Sequence, residues 1–268
     1  MNKKASGWIW LGLAIILAAG TGYRAFSAEA PVSESSNLRY EEPVHLAGAI
    51  YAHGSNQPLF KFERVAQRSG STLKVQRDFT YADGKPAAQE RVVYEGDELI
   101  SFELEDLQTG ARGSAKIQRD ANHPEKNRVD FEYAVKSGDQ PKKRTEALRE
   151  DTLVADMVGP FLVSHWDALS RGEKVKCRYI VVPRSETVGF TFVKDKETTW
   201  QGRSVVVVRM EATSRIIAAL VDPLFFTMEK DAPHRVVQYV GRTTPKIQVG
   251  AKWKDLDAVT VFDWGSAR

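Results

Sequence analysis

The sequence predicts a mainly β fold: a curved antiparallel sheet or half-barrel with one kinked amphipathic helix packed on its concave face. Three observations lead to this prediction. Apolar and polar residues alternate with a period of two along most of the chain, turn-type residues recur every ten to fifteen positions or so, and one segment has helical spacing. Helical crossovers are otherwise nearly absent, which disfavours a parallel α/β sheet.

The alternation is clearest in three segments, residues 72–81, 129–136 and 174–181. In each of them, apolar side chains occupy every second position and charged or polar side chains occupy most of the others. This pattern is typical of an antiparallel strand with one face on the core and the other in water. Turn sequences such as Asp83-Gly84 and Glu95-Gly96 separate neighbouring strand-like segments, so we expect hairpins in a meander.

The helical segment spans residues 151–169, where apolar residues recur at three- and four-residue intervals. Asp151 is a candidate N-cap and Gly172 a candidate C-terminal stop. Gly159-Pro160 lies in the middle, and a proline inside a helix removes a backbone hydrogen bond, so a kink is expected there. This helix should lie across the concave face of the sheet. A second short helix or loop is expected over residues 213–220.

The N-terminus carries the strongest single motif. Lys3 and Lys4 precede an uncharged, mostly apolar stretch at residues 8–22, and Ala28-Glu29-Ala30 fits the small-x-small cleavage pattern. We therefore expect a secretion signal at residues 1–30, cleaved near Ala30, and a periplasmic or secreted protein. The alternative is an uncleaved N-terminal anchor in the inner membrane. After the signal, the sequence predicts a flexible lead-in at residues 31–43 and a single β domain at residues 44–264.

Composition excludes several classes of protein. The 268 residues include 42% hydrophobic residues, which is ordinary for a globular chain, and 38 basic residues nearly balance 35 acidic ones. That balance does not favour nucleic acid as a partner. The one cysteine, Cys177, excludes an intramolecular disulfide framework, and no histidine has metal-ligand spacing. We expect no cofactor, no metal and no enzymatic activity; a hydrolase is the least favoured function considered.

One charged residue breaks the strand pattern. Arg77 has the same parity as Leu73, Val75 and Phe79, so its side chain should point inward, where an arginine must be paired or solvated. It is either an edge residue whose guanidinium reaches water or a polar anchor inside a cavity. Cys177, which alternates with apolar neighbours, is expected to be an inert buried thiol. The candidate cavity residues are Arg77, Phe79, Phe131, Tyr133, Tyr179, Phe161 and Trp166.

Three segments suggest a family resemblance: Tyr179-Ile180-Val181-Val182-Pro183, the hairpin around Gln201-Gly202, and the run at residues 236–242. With the hairpins, the mid-chain helix and the export signal, they resemble uncharacterised bacterial periplasmic domains of the lipoprotein-localisation-factor-like β half-barrel superfamily. The resemblance implies that an acyl chain or other apolar molecule binds in the barrel.

The sequence therefore favours non-catalytic binding or transfer of an apolar or amphiphilic, lipid-like molecule in the cell envelope. This function needs an apolar lining rather than a motif, because burial of apolar surface supplies the affinity. The alternative is a structural or assembly factor that binds another envelope protein.

Overall fold

A computed structural model describes residues 39–218 and 222–265, and the predicted signal segment lies outside them. All strands of the described residues belong to one 15-stranded sheet. The strands are β1 His45–Tyr51, β2 Pro58–Ser69, β3 Thr72–Tyr81, β4 Pro86–Glu95, β5 Glu98–Asp106, β6 Ala111–Gln118, β7 Arg128–Ala134, β8 Lys142–Ala147, β9 Thr152–Leu153, β10 Val175–Val181, β11 Glu186–Trp200, β12 Arg203–Ala212, β13 Leu224–Glu229, β14 Val236–Val249 and β15 Lys252–Asp263. The helices are α1 Val158–Ser164, α2 Trp166–Ser170 and α3 Arg215–Ala218.

The sheet is built outward from its centre. The order is β8-β7-β6-β5-β4-β3-β2-β1-β15-β14-β13-β12-β11-β10-β9, so the first and last strands pair in the middle and β8 and β9 form the edges. Neighbouring strands are antiparallel except β9 and β10, which are parallel. The predicted mainly antiparallel fold is confirmed. We call the end of the sheet that carries the β5–β6 turn, residues 107–110, the lower end.

The sheet is strongly curved, because its two edges approach each other. Glu146 on β8 accepts hydrogen bonds from the backbone N–H of Thr187 (2.8 Å) and from its hydroxyl, although β8 and β11 are far apart in the strand order. Nearby, Val182 follows β10 and packs so closely on Gly113 of β6 that a Cβ added there would lie 2.6 Å from Val182 Cγ1. These contacts bring the two halves of the sheet, β1 to β8 and β9 to β15, face to face. The sheet stays open, because the edge strands β8 and β9 do not pair with each other.

The mid-chain segment packs between the two halves, but its helix differs from the one expected. Thr152 and Leu153 form β9, a short 3-10 turn covers Ala155–Met157, and the helical axis breaks at His165 rather than at Gly159-Pro160. Pro160 lies in the first turn of α1, where a backbone N–H has no intrahelical partner, so proline is tolerated without a kink. Asp151 does not cap the helix. The segment does stop at Gly172, whose φ is +82°.

The upper half of the concave face is solid. Phe161 and Leu162 of α1 pack with Leu73, Phe131 and Phe192 from both halves of the sheet, and all five are at most 3% exposed. A second cluster of buried residues occupies the centre of the sheet towards its lower end and includes Phe60, Phe62, Phe79 and Leu256. No helix in the described part of the chain is long and apolar enough to cross a membrane.

A buried ion pair fixes the start of the domain. Arg64 of β2 binds both carboxylate oxygens of Asp156, with Nε 2.6 Å from Oδ1, and also donates to the backbone oxygens of Tyr40 and Pro43. The hydroxyl of Tyr94 donates to the same carboxylate, and the Tyr94 ring stacks on Tyr40 at 4.7 Å. These contacts hold residues 40–43 against the sheet, with the ring of Tyr40 buried.

We predict that Asp156→Ala lowers the free energy of unfolding by about 3–5 kcal/mol, because it leaves the Arg64 guanidinium buried without its counter-charge. The matched control is Glu42→Ala, which removes the exposed Arg39–Glu42 pair and should cost about 1 kcal/mol or less. Urea unfolding followed by circular dichroism measures both. The double variant Arg64→Leu, Asp156→Leu should be more stable than Asp156→Ala alone; equal losses for Asp156→Ala and Glu42→Ala would contradict the assignment.

Candidate functional site

A polar row crosses the inner face of the sheet below the solid core. Strand register places Arg64, Arg77, Glu90, Leu104 and Gly113 opposite one another on β2 to β6. The next residue of the row is Tyr133 on β7. Since residues opposite each other in an antiparallel sheet share a face, all six point towards the space between the two halves. The row therefore brings two arginines and a glutamate to the inner face of the sheet.

Arg77 is paired inside this space. Its Nη1 donates to Glu90 Oε2 at 2.5 Å, and its guanidinium also lies 5.3 Å from the ring centre of Phe62. The other oxygen of Glu90 accepts the hydroxyl of Thr244, which reaches over from β14. Burial alone would lower the pKa of Arg77, but the charge of Glu90 raises it, so the guanidinium stays ionised. Of the two alternatives for Arg77, the structure places it inside the fold.

Two tyrosines face Arg77 from the second half of the sheet. Burial is the largest cause of the raised pKa of Tyr179 and of Tyr239, so both phenols stay protonated. The Tyr239 hydroxyl donates to the backbone oxygen of Arg242 at 2.8 Å. The Tyr179 hydroxyl has no hydrogen-bond partner among the described residues. It is therefore a polar group in the interior that remains available to another molecule.

A second ion pair bounds this space at the lower end. Lys246 Nζ of β14 lies 2.9 Å from Asp106 Oδ2 at the end of β5. Burial would lower the pKa of Lys246, but the hydrogen bond and charge of Asp106 raise it. The Gln108 side chain binds both the backbone N–H and the backbone oxygen of Lys246, and it donates to the Tyr81 hydroxyl as well. These contacts tie the β5–β6 turn to β14.

The side chains between these groups are less completely buried than those of the solid core. Glu90 is 3% exposed, but the other inward-facing side chains here are half-buried, unlike those around α1. Tyr133 lies beside Lys246 at this end, and burial raises its pKa. We call the space the lower cleft; it is lined by Arg77, Glu90, Leu104, Tyr133, Tyr179, Tyr239, Thr244 and Lys246. Its charges are two cations, each with its own carboxylate.

The seven candidate cavity residues from the sequence occupy three places. Arg77, Tyr133 and Tyr179 lie in the lower cleft. Phe131 and Phe161 lie in the solid core, and Phe79 lies in the second cluster against Phe62. Trp166 lies near the upper end, where its ring stacks on His234 at 4.0 Å.

Glu90, Thr244 and Lys246 line the cleft but are not among the candidates from the sequence. The strand pattern contains a signal for Glu90. Glu90 has the parity of Ala88, Val92 and Tyr94 on its strand, the same signal that singled out Arg77 on the neighbouring strand. The register of β14 shifts between Arg242 and Lys246, so the side-chain parity of Thr244 and Lys246 cannot be read from the sequence.

The groups considered for catalysis lie elsewhere. The Nδ1 atom of His165 is 2.9 Å from the backbone oxygen of Phe161 and 3.0 Å from the Ser164 hydroxyl, and no acidic side chain joins them. Cys177 is buried, and burial raises the pKa of its thiol to about 12. Within residues 39–218 and 222–265, no group of three His, Cys, Asp or Glu side chains could hold a metal ion. The lower cleft can bind and orient a molecule through hydrogen bonds and ring contacts.

The accessibility and reactivity of the Cys177 thiol can be tested directly. We predict that the folded protein does not react with a disulfide reagent such as Ellman's reagent at pH 8, because a thiol with a pKa near 12 holds almost no thiolate and is shielded from the reagent. After unfolding in urea, one thiol should react. Stoichiometric labelling of the folded protein within minutes would show that Cys177 is accessible.

No family model, curated protein or solved structure matches this chain.

Proposed function

We propose that this chain is an exported envelope protein that binds a compact, uncharged amphiphilic molecule in the lower cleft without catalysis. One observation carries the proposal: two inward-facing tyrosines, Tyr179 and Tyr239, lie against Arg77 and are only half-buried, although the neighbouring core is fully packed. The lipid-like class of ligand agrees with the resemblance, and export rests on the signal motif at residues 1–30.

The lining supports binding of an amphiphile. The rings of Tyr133, Tyr179 and Tyr239 and the side chain of Leu104 offer apolar surface, and burial of apolar area contributes about 25 cal/mol per Å². A ligand that buries about 200 Å² of apolar surface would gain about 5 kcal/mol before the entropy lost on association is subtracted. The Tyr179 hydroxyl and the remaining N–H groups of Arg77 can orient a polar end of the ligand.

The ion pairs favour an uncharged ligand. Arg77 and Lys246 are already neutralised by Glu90 and Asp106, so an anion that enters the cleft meets two carboxylates as well as two cations. It would lose its hydration without a free counter-charge, and burying an unpaired charge is expensive. An alcohol, amide or ester loses much less on entry and can accept a hydrogen bond from Tyr179.

The proposal is tested with two probes that differ by one charged group. N-phenyl-1-naphthylamine is uncharged, and anilinonaphthalene sulfonate carries the same rings with a sulfonate. We expect the uncharged probe to bind with a micromolar Kd and the sulfonate to bind at least about tenfold more weakly, a difference of about 1.4 kcal/mol. Fluorescence titration measures both. Equal or tighter binding of the sulfonate would contradict the uncharged cleft.

Tryptophan substitutions test whether the uncharged probe binds in the lower cleft. Leu104→Trp and, independently, Leu224→Trp, which lies against Tyr239 across Gly241, should fill the space and lower the affinity for the uncharged probe at least tenfold or so. Val163→Trp adds the same ring at an exposed position on α1 and should change nothing. Circular dichroism identifies variants that fail to fold. Unchanged binding in folded Leu104→Trp and Leu224→Trp would show that the probe binds elsewhere.

A further inference from the structure

The lower end of the sheet concentrates the exposed apolar side chains of the described residues. Eight large hydrophobic residues are exposed, and five of them lie in the turns, strand ends and short helix at this end: Leu107, Val135, Ile216, Val249 and Trp253. Ile216 on α3 is 77% exposed, and Val135 and Val249 are about half exposed. Exposed apolar residues scattered singly need no explanation, but their concentration at one end indicates an interaction surface.

The tip of the β14–β15 hairpin is exposed at this end. All residues from Gln248 to Asp255 are exposed, so the ends of the two strands form a two-stranded ribbon that does not pack on the rest of the sheet. Register places Trp253 opposite Gln248 and Lys252 opposite Val249. The tip therefore combines an indole, an aliphatic side chain and two lysines, Lys252 and Lys254, that form no ion pair with any described residue.

The hairpin at the opposite end has a different surface. The β11–β12 hairpin is also exposed, but most of its charges are paired: Glu197 binds both Lys194 and Lys230, and Arg203 binds Glu229, whereas Lys196 forms no ion pair with a described residue. It carries none of the exposed large hydrophobic residues. The same fold thus presents a largely charge-paired hairpin at its upper end and an apolar, basic hairpin at its lower end.

We infer that the lower end of the sheet docks on an anionic lipid bilayer, with the β14–β15 tip inserted at the level of the headgroups. Tryptophan is favoured at that depth because its ring is apolar and its N–H is polar, and lysines can extend their charges to lipid phosphates. The apolar residues lie on several separate segments of this end, which a fluid bilayer can accommodate one by one, whereas a protein partner needs a continuous complementary patch. This inference does not depend on the proposed function.

The test is a local probe on the full chain. Ala251→Cys carries an environment-sensitive nitrobenzoxadiazole label at the hairpin tip, and Thr199→Cys carries the same label on the opposite hairpin; the native Cys177 is buried. With vesicles of phosphatidylglycerol and phosphatidylcholine, we expect the label at position 251 to shift to the blue and brighten about twofold or more, with little change at position 199. Because each label reports its own surroundings, attachment through the apolar segment near the N-terminus cannot produce the difference.

Charge reversal then tests the lysines. Lys252→Glu, Lys254→Glu in the chain labelled at position 251 should raise the vesicle concentration needed for half of the shift by about tenfold, since each lysine is attracted to the anionic surface. Lys174→Glu, Lys196→Glu makes the same change in net charge at exposed, unpaired positions near the upper end and should leave the titration unchanged. Equal shifts at positions 199 and 251, no shift at either, or equal effects of the two charge reversals would overturn the inference.

Discussion

The short connection between the two outermost strands is the constraint on which the architecture depends. β8 ends at Ala147 and β9 begins at Thr152, so five residue steps join opposite edges of a 15-stranded sheet. Those steps span at most about 18 Å. In a flat sheet with strands about 4.8 Å apart, the same edges would be separated by about 65 Å. The sheet must therefore curl until its edges nearly meet, and the segment that follows β9 begins inside the curve. The helix that follows β9 therefore starts beside the concave face, which it fills.

Polar contacts across the interior explain why the two ends of the curve differ. Around α1, the facing side chains are apolar, and close packing removes the space between them. Below it, three polar links join one wall to the other: Glu90 to Thr244, Asp106 to Lys246, and Gln108 to the backbone of Lys246. Hydrogen bonds fix a separation and a direction, whereas apolar contacts allow the walls to close until no gap remains. We attribute the lower cleft to these links, which act as spacers between the halves of the sheet.

The sequence predicts most of the strands and part of the cleft. Strands such as β3 are readable because residues like Leu73 and Val75 alternate with lysine and glutamine over a regular ladder, and Arg77 stands out against that pattern. The apolar spacing locates the helix in the right segment. The kink expected at Pro160 is wrong, because the effect of a proline depends on where the first turn of the helix begins. Tyr40 and Thr244 were not predictable: the first lies in a polar stretch with no periodicity, and the second follows a register shift. Tyr40 packs on Tyr94 and Thr244 binds Glu90, and each pair is more than twenty residues apart in the sequence. Local sequence patterns do not indicate such contacts.

The solid upper half also limits what the cleft can hold. From the sequence, an acyl chain or other apolar molecule is expected in the barrel, and a long acyl chain needs a continuous apolar passage. Here Phe131, Phe161 and Phe192 meet across the path that such a chain would follow into the upper half, and they are fully packed. Moving these rings apart would expose apolar surface and lose close contacts, at a cost of several kcal/mol. A ligand confined below them is bounded by the core above and by the Asp106–Lys246 pair below. Its polar end can reach Tyr179 while its apolar part stays against Leu104, so a short, uncharged amphiphile fits this geometry better than an extended one.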